Sequence, residues 1–170
     1  VTILLALLLV GVARAGYERP QNYPFLALIA LAATQSLLVG LRFGYGVEWV
    51  GFLSPLLASV MAPMVLFGAL HLVGPQPLMN FRTLAPHCIP FVLVMVSLIV
   101  WPVALDVIII GTFVIYAILI LRLLWSGADA LRLAALDGAG AAHRALVFAA
   151  CALMFSAIVD TSITLDIALT

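Results

Sequence analysis

Long apolar runs are the sequence feature that most restricts what this chain can fold into. Six of them follow one another, at 1–13, 25–41, 52–73, 88–105, 107–125 and 145–168. A helix needs about 20 apolar residues to cross the ~30 Å hydrocarbon core of a bilayer, and a spanning helix satisfies its own backbone hydrogen bonds. We therefore predict an all-α fold, a polytopic transmembrane helical bundle in which residues 1–170 form one domain.

The composition excludes a soluble globular protein. Hydrophobic residues make up 66% of the chain and charged residues 8%, with a mean hydropathy of +1.33, whereas soluble domains contain about 25% charged residues. Seven basic and seven acidic residues give a formal net charge of zero, so no basic block is available for nucleic acid. We expect the lipid bilayer to be the main partner of these residues.

The first apolar run is shorter than the others. As a helix, 1–13 would measure roughly 20 Å, less than the hydrocarbon core, and the chain begins with Val1 rather than methionine. We therefore expect a truncated first span. The alternative is a signal peptide with "ILLALLLVGVA" as its apolar region and "ARA" at 13–15 as its cleavage site, but a basic region in front of it is missing.

The arginines are distributed unevenly between alternate connections. Only Arg42 lies on one side; the other side has Arg14, Arg19, Arg82, Arg122, Arg132 and Arg144. Because cytoplasmic loops carry the excess of basic residues, we predict that the N-terminus is outside, in a bacterial cytoplasmic (inner) membrane. The sixth segment then runs outward, and one further span after Thr170 would give seven in the complete protein.

The sequence predicts a defined structure for two of the connections between the apolar runs. Only Asp106 separates the fourth and fifth runs, which predicts a tight antiparallel hairpin with Trp101 and Pro102 at the interface and Asp106 as the helix N-cap. The stretch "SGADALRLAALDG" predicts a short helix on the membrane surface that ends near Gly138.

Charged residues on the Arg42 side suggest a binding pocket. Glu48 shares the loop of Arg42, Asp160 lies in the outer half of the sixth segment, and Asp166 lies near its outer end. A lone carboxylate within a spanning helix costs about 2.5–3.5 kcal/mol on insertion scales, so it should face a partner or a water-filled cavity. We predict an outward-open polar pocket formed by Arg42, Glu48, Asp160 and Asp166, suited to a small polar ligand or to proton sensing.

Helical spacing adds a polar stripe to this pocket. Ser156, Asp160 and Thr164 share one face of the sixth segment, which should point into the bundle. A simpler interpretation stays open for the charges nearest the interface. Arg42 would then extend to the lipid headgroups with Glu48 as a surface ion-pair partner, and Asp166 would be solvated.

Enzyme and metal motifs are missing from the sequence. There is no HExxH, no GxSxG, no Gly-rich phosphate loop and no Cys/His cluster. The stretch "LDGAGAAHR" is superficially similar to the aspartate motif of the CDP-alcohol phosphotransferases, but Asp160 and Asp166 are about 240° apart around a helix and do not share a face. We therefore expect no enzyme activity, no catalytic residue, no metal and no cofactor.

Two segments resemble a known type of membrane region. They are "QSLLVGLRFGYGVEWVGFLSPLLASVMAPMVLFGAL" at 35–70 and "DALRLAALDGAGAAHRALVFAACALMFSAIVDTSITLDIALT" at 129–170. Together, the aromatic and glycine run 42–46, the prolines Pro55 and Pro63 and the "LDGAGAAHR" loop resemble the N-terminal membrane region of bacterial regulators with a C-terminal AraC-type helix-turn-helix domain. In such proteins a bundle of about seven helices precedes a cytoplasmic DNA-binding domain. That domain is absent from these residues.

The resemblance implies a function in transcription regulation. The chain would be the membrane-embedded sensory or anchoring domain, relaying an outer-side signal to a DNA-binding domain beyond Thr170. DNA would be a partner only through that domain, and a homodimer would form through the full-length protein. The alternative is a small transporter or permease fragment, with a polar path lined by Arg42 and Asp160. A third interpretation is an inert anchor.

Overall fold

Five α-helices make up the part of the chain that the structure describes. The computed structural model describes residues 23–74, 81–125, 127, 131 and 139–169. The helices are α1 (Tyr23–Tyr45), α2 (Val50–Val73), α3 (Phe81–Val100), α4 (Ala104–Leu123) and α5 (Ala139–Leu169). No strand occurs in these ranges, so the predicted all-α class is confirmed for them.

Four of the helices are long and apolar enough to cross a membrane. The spans are Leu26–Tyr45, Val50–Val73, Ala104–Leu123 and Ala142–Ser162, and α3 contributes a shorter apolar stretch, Ala85–Val100. Large apolar side chains cover the outside of the bundle, with Ile99 80% and Phe148 77% exposed. Such a surface is compatible with an integral membrane protein. The predicted span 1–13 and any span after Thr170 lie outside the described residues, so six or seven segments remain a prediction.

All five helices begin before their apolar runs, and the difference is largest, six or seven residues, for α3 and α5. α3 begins at Phe81 rather than at 88 and includes Pro86 and Pro90, and α5 begins at Ala139 rather than at 145. Apolar runs mark the part of a helix that lipid can cover, while backbone hydrogen bonding continues into more polar sequence. Prolines are tolerated in apolar helices because neighbouring groups satisfy the freed carbonyls.

The turn between α3 and α4 lies at 101–103, so its predicted position at Asp106 is wrong. Pro102 disfavours a helical conformation in the residue before it, and α3 ends at Val100. The Ser97 hydroxyl donates to the Trp101 carbonyl oxygen at 2.8 Å, and the Trp101 N–H donates to the Ser97 carbonyl at 2.9 Å. Asp106 is therefore a residue of the first turn of α4 and not its N-cap.

The predicted surface helix between α4 and α5 lies almost entirely outside the described residues. Gly127 adopts a positive φ of 79°, which favours glycine. Leu131 is not helical; its side chain is buried in the core cluster.

The helices pack as two pairs around a shared centre. α1 packs against α2, α5 packs against α4, and α2 and α4 contact each other, with α3 beside both. Core residues come mainly from three helices: Ala62, Val65, Leu66 and Ala69 of α2, Phe113, Tyr116 and Ile120 of α4, and Leu146, Ala150 and Ala157 of α5. Within the described helices, α1 and α5 are not closely packed together. A cleft between them follows from this arrangement.

The bundle has two ends, which we call the Arg42 end and the His87 end. The Arg42 end contains the α1–α2 connection, the α3–α4 turn and the C-terminal part of α5. The His87 end contains the C-terminal ends of α2 and α4 and the N-terminal ends of α3 and α5.

Candidate functional site

A cleft with a volume of about 910 Å³ lies between α1 and α5, and residues of α2 and α4 also line it. Small-molecule sites in proteins have volumes of about 300–1,000 Å³, so the cleft is of ligand size. Its polar lining comes from all four helices: Gln35, Arg42, Ser54, Asp106, Ser156, Asp160 and Thr164. The remainder of the lining is apolar apart from Gly51.

The lining changes from charged to apolar along the cleft. Charged side chains are confined to the Arg42 end, and Gln35, Ser54 and Ser156 lie one to two helical turns deeper. The deepest lining residues are apolar: Leu28, Met61, Val65, Phe113, Ala149 and Leu153. Along α1, the distance from Arg42 to Leu28 is roughly 21 Å at 1.5 Å per residue. The cleft therefore has a charged mouth and an apolar interior.

Arg42 is the cation at this mouth, in the last turn of α1. Its guanidinium rests on Gly51 of α2, where a Cβ atom would stand 3.5 Å from Arg42 Cζ and 3.6 Å from Nη1. Arg42 Cζ also lies 5.5 Å from the centre of the Phe43 ring, a cation–π distance. A basic residue is favourable at a helix C-terminus because the unpaired carbonyls carry partial negative charge.

Two carboxylates lie at the same end of the cleft. Asp106 is in the first turn of α4 and exposed, whereas Asp160 of α5 is half-buried. Both side chains line the same cleft. No ion pair joins Arg42, Asp106 or Asp160 to an opposite charge among the described residues. Three charges thus line one cleft without neutralising each other directly.

The predicted polar stripe of α5 lies along the cleft. Ser156, Asp160 and Thr164 all belong to its lining. The Thr164 hydroxyl donates to the Asp160 carbonyl oxygen at 2.9 Å. The threonine hydroxyl therefore has a partner within its own helix.

Gln35 and Ser54 connect α1 to α2 below the charged mouth. Gln35 Nε2 donates to Ser54 Oγ at 2.7 Å. Gln35 Oε1 is buried and has no hydrogen-bond partner in the described part of the chain. A buried acceptor without a donor costs about 1–3 kcal/mol. The Gln35–Ser54 contact therefore joins the two helices and leaves one acceptor of the Gln35 amide unsatisfied among the described residues.

Two predicted site residues are not among those that the structure brings together. Glu48 is exposed in the α1–α2 connection and does not line the cleft, because α1 continues to Tyr45 and the chain turns at Gly46, where φ is 68°. Glu48 also forms no surface ion pair with Arg42. The backbone of Asp166 lies in α5, but its side chain is outside the described residues. Asp106, interpreted from sequence as a helix cap, takes a place in the cleft instead.

A second polar contact lies nearer the His87 end, within the core. His87 Nδ1 and Tyr116 Oη are 2.7 Å apart, and the edge of Phe67 meets the His87 ring with centroids 4.9 Å apart. Tyr116 is only 5% exposed. These contacts join α2, α3 and α4. No group of three or more side chains that could hold a metal ion occurs within the described ranges.

No protein-family model matches the sequence, and neither curated proteins nor solved structures give a significant match.

Proposed function

We propose that this chain is the membrane-embedded sensory domain of a bacterial transcriptional regulator. The cleft would receive a small polar ligand from the outer side and relay its binding to a cytoplasmic DNA-binding domain beyond Thr170. The observation that carries the sensory role is the grouping of Arg42, Asp106 and Asp160, without direct ion pairs, in one cleft of ligand size. The regulatory role is supported by the sequence resemblance to membrane-bound AraC-type regulators.

A sensory role accounts for the charges better than an anchoring role does. An anchor needs only an apolar exterior, and charged side chains within or beside spanning segments are costly. Asp160 lies within the span Ala142–Ser162 and faces a cleft that also contains Arg42. A ligand that contacts both residues would offset the cost of retaining them.

The packing of α1 and α5 supplies a route for the relay. Arg42 belongs to α1 and Asp160 to α5, and these two helices are not closely packed together. A ligand that binds more tightly when they are close would shift the population towards a closed cleft. Because α5 is the last described helix, its movement along α4 would be passed to whatever follows Thr170.

The proposal includes the orientation derived from the arginines. The Arg42 end faces outward, the N-terminus is outside, and the membrane is the bacterial inner membrane. The distribution of six arginines against one supports this orientation. One further span after Thr170, seven in the complete protein, would bring the chain to the cytoplasm.

A permease is the alternative function. The cleft would then be the outward-open half of a polar path lined by Arg42 and Asp160. The apolar lining below Gln35 and Ser156 argues against such a path for a polar substrate, because no charged lining residue lies deeper among the described residues. The gene sequence beyond Thr170 separates the alternatives. One more span followed by a helix-turn-helix domain supports the regulator, and further spans alone contradict it.

The sensory role is tested by a double-mutant cycle in the full-length protein. We expect Arg42→Ala and Asp160→Ala each to change the output of a reporter gene, and the double variant to change it no more than one of them, since both act on one ligand. Arg122→Ala is the matched control, because Arg122 is an exposed arginine in the last turn of α4, at the His87 end. Additive effects of the two substitutions, or an equal effect of Arg122→Ala, would contradict the proposal.

A further inference from the structure

We infer that the ligand of the cleft is a single-chain amphiphile with a zwitterionic headgroup, whose anionic group binds Arg42 and whose ammonium group binds Asp106 and Asp160. This inference rests on the proposed sensory function and replaces the small polar ligand of that proposal with one whose polar headgroup carries an apolar chain. The chain of the amphiphile would lie in the apolar interior, towards Met61 and Val65.

The charges at the mouth determine the headgroup. One guanidinium and two carboxylates give the mouth a net formal charge of minus one, and none of the three has an ion-pair partner among the described residues. A purely anionic headgroup would satisfy Arg42 but would repel both aspartates. An ammonium group between Asp106 and Asp160 removes their mutual repulsion. A phosphate or carboxylate on the same headgroup matches the planar donors of Arg42.

The interior of the cleft determines the chain. The residues that face each other across the interior are Met61 and Phe113 on one side and the α5 lining below Ser156 on the other, which consists of Ala149, Ala152, Leu153 and Phe155. A polar ligand would leave this apolar interior unused, whereas burial of a chain gains about 0.8 kcal/mol per CH₂ group. Along α5, the distance from Asp160 to Ala149 is roughly 16 Å. This depth is close to half of the ~30 Å hydrocarbon core, the thickness of one leaflet.

The opening of the cleft suits the same ligand. Because α1 and α5 are not closely packed, the cleft opens sideways along α5, where the lining residues Phe155 and Val159 are exposed. In a bilayer this opening faces the outer leaflet, so a chain can enter from the lipid while its headgroup remains at the interface.

The test uses lysophosphatidylethanolamine as the probe and measures its equilibrium binding to the purified full-length protein in lipid nanodiscs. We expect it to bind about tenfold or more tightly than lysophosphatidylglycerol, which lacks the ammonium group, since hydrogen bonds to charged groups are individually strong. Asp106→Asn with Asp160→Asn should abolish this preference. Phosphoethanolamine, the headgroup without a chain, should bind far more weakly.

A pair of matched substitutions tests the position of the chain. Met61→Trp would fill the apolar interior and should weaken binding of the probe about tenfold or more, since a filled cavity cannot accept the chain. Met95→Trp is the control, because Met95 is exposed on α3 and does not line the cleft. Equal binding of both lysolipids, unchanged by any of these substitutions, would show membrane partitioning alone and overturn the inference.

Failure of this inference is distinguishable from failure of the proposed function. If phosphoethanolamine binds as tightly as the lysolipid and Met61→Trp has no effect, the ligand has no chain. The amphiphile is then wrong, although the coupling of Arg42 and Asp160 in the reporter assay would still support a sensor. If neither probe binds and the reporter assay shows no coupling of Arg42 and Asp160, the inferred ligand and the proposed sensory function are both wrong.

Discussion

The guanidinium of Arg42 lies directly against the backbone of Gly51, so that a Cβ atom at Gly51 would stand 3.5 Å from Arg42 Cζ. This contact joins the last turn of α1 to the first turn of α2 and keeps the only cation of the described cleft lining at its mouth. At 3.5 Å a methyl group makes an ordinary van der Waals contact, whereas a branched side chain would occupy the volume of the guanidinium.

We therefore predict opposite outcomes for two substitutions of Gly51. Gly51→Ala should leave the reporter output of the full-length protein unchanged, because the added methyl group fits. Gly51→Leu should change the output as much as Arg42→Ala does, since it displaces the guanidinium from the mouth. Gly40→Leu is the control: Gly40 is on α1 with no atom near its Cβ position. Equal outputs for Gly51→Leu and the wild type would contradict this role of the contact.

The hydrogen bond between Gln35 and Ser54 should contribute modestly to stability. In membrane proteins such interhelical bonds average about 0.6 kcal/mol, with a maximum of about 1.7. Ser54→Ala should lower the free energy of unfolding by an amount in this range, because it leaves the Gln35 amide without its partner. In the Gln35→Leu background the same substitution should have almost no effect. Unfolding titrations in mixed micelles measure both values, and strictly additive effects would disprove the contact.

The His87–Tyr116 contact should stabilise the centre of the bundle. Tyr116→Phe removes the hydroxyl at 2.7 Å from His87 Nδ1 and leaves the ring packing in place. We expect a loss of about 0.6–1.7 kcal/mol in the free energy of unfolding. Tyr45→Phe is the matched control and should have no effect, since Tyr45 is 82% exposed. A larger loss for Tyr45→Phe than for Tyr116→Phe would contradict the assignment.

Orientation can be read from single cysteines in a variant that carries Cys88→Ser and Cys151→Ser. We predict that Glu48→Cys reacts with a membrane-impermeant maleimide added to intact cells, because the α1–α2 connection is exposed and faces outward in the proposed orientation. Trp125→Cys, at the other end of the bundle, should react only after the cells are opened; Trp125 is 90% exposed. The reverse pattern would invert the proposed topology.

Sequence reasoning predicted the elements of this fold better than their ends. Hydropathy is a local sum, so the runs 25–41 and 52–73 correspond closely to α1 and α2. Hydropathy did not locate the turn at 101–103, because Pro102 lies among apolar residues and the apolar run continues through it. Hydropathy also did not predict the first residues of α3 and α5, because a helix can continue into polar sequence that lipid does not cover.

The residues of the cleft could likewise be predicted from the sequence only in part. Counting arginines between alternate connections was enough to place Arg42 and Asp160 at one end of the bundle. Asp106 was missed as a cleft residue because its position depends on how α4 packs against α5, a relationship between distant segments. The loose contact between α1 and α5 has no local signal in the sequence. The predicted pocket included Glu48 because this residue is near Arg42 in sequence, but its side chain is exposed outside the cleft.

Water access to Ser156 tests most directly whether the cleft is an outward-open binding site. In the cysteine-free background, we predict that Ser156→Cys reacts with an impermeant thiol reagent added to intact cells, because only a hydrated thiol ionises and reacts. Ile158→Cys is the matched control at the same depth of α5; Ile158 is 60% exposed on the surface that lipid covers and does not line the cleft. It should remain unmodified. Equal protection of both cysteines would contradict an outward-open cleft and, with it, the proposed sensor.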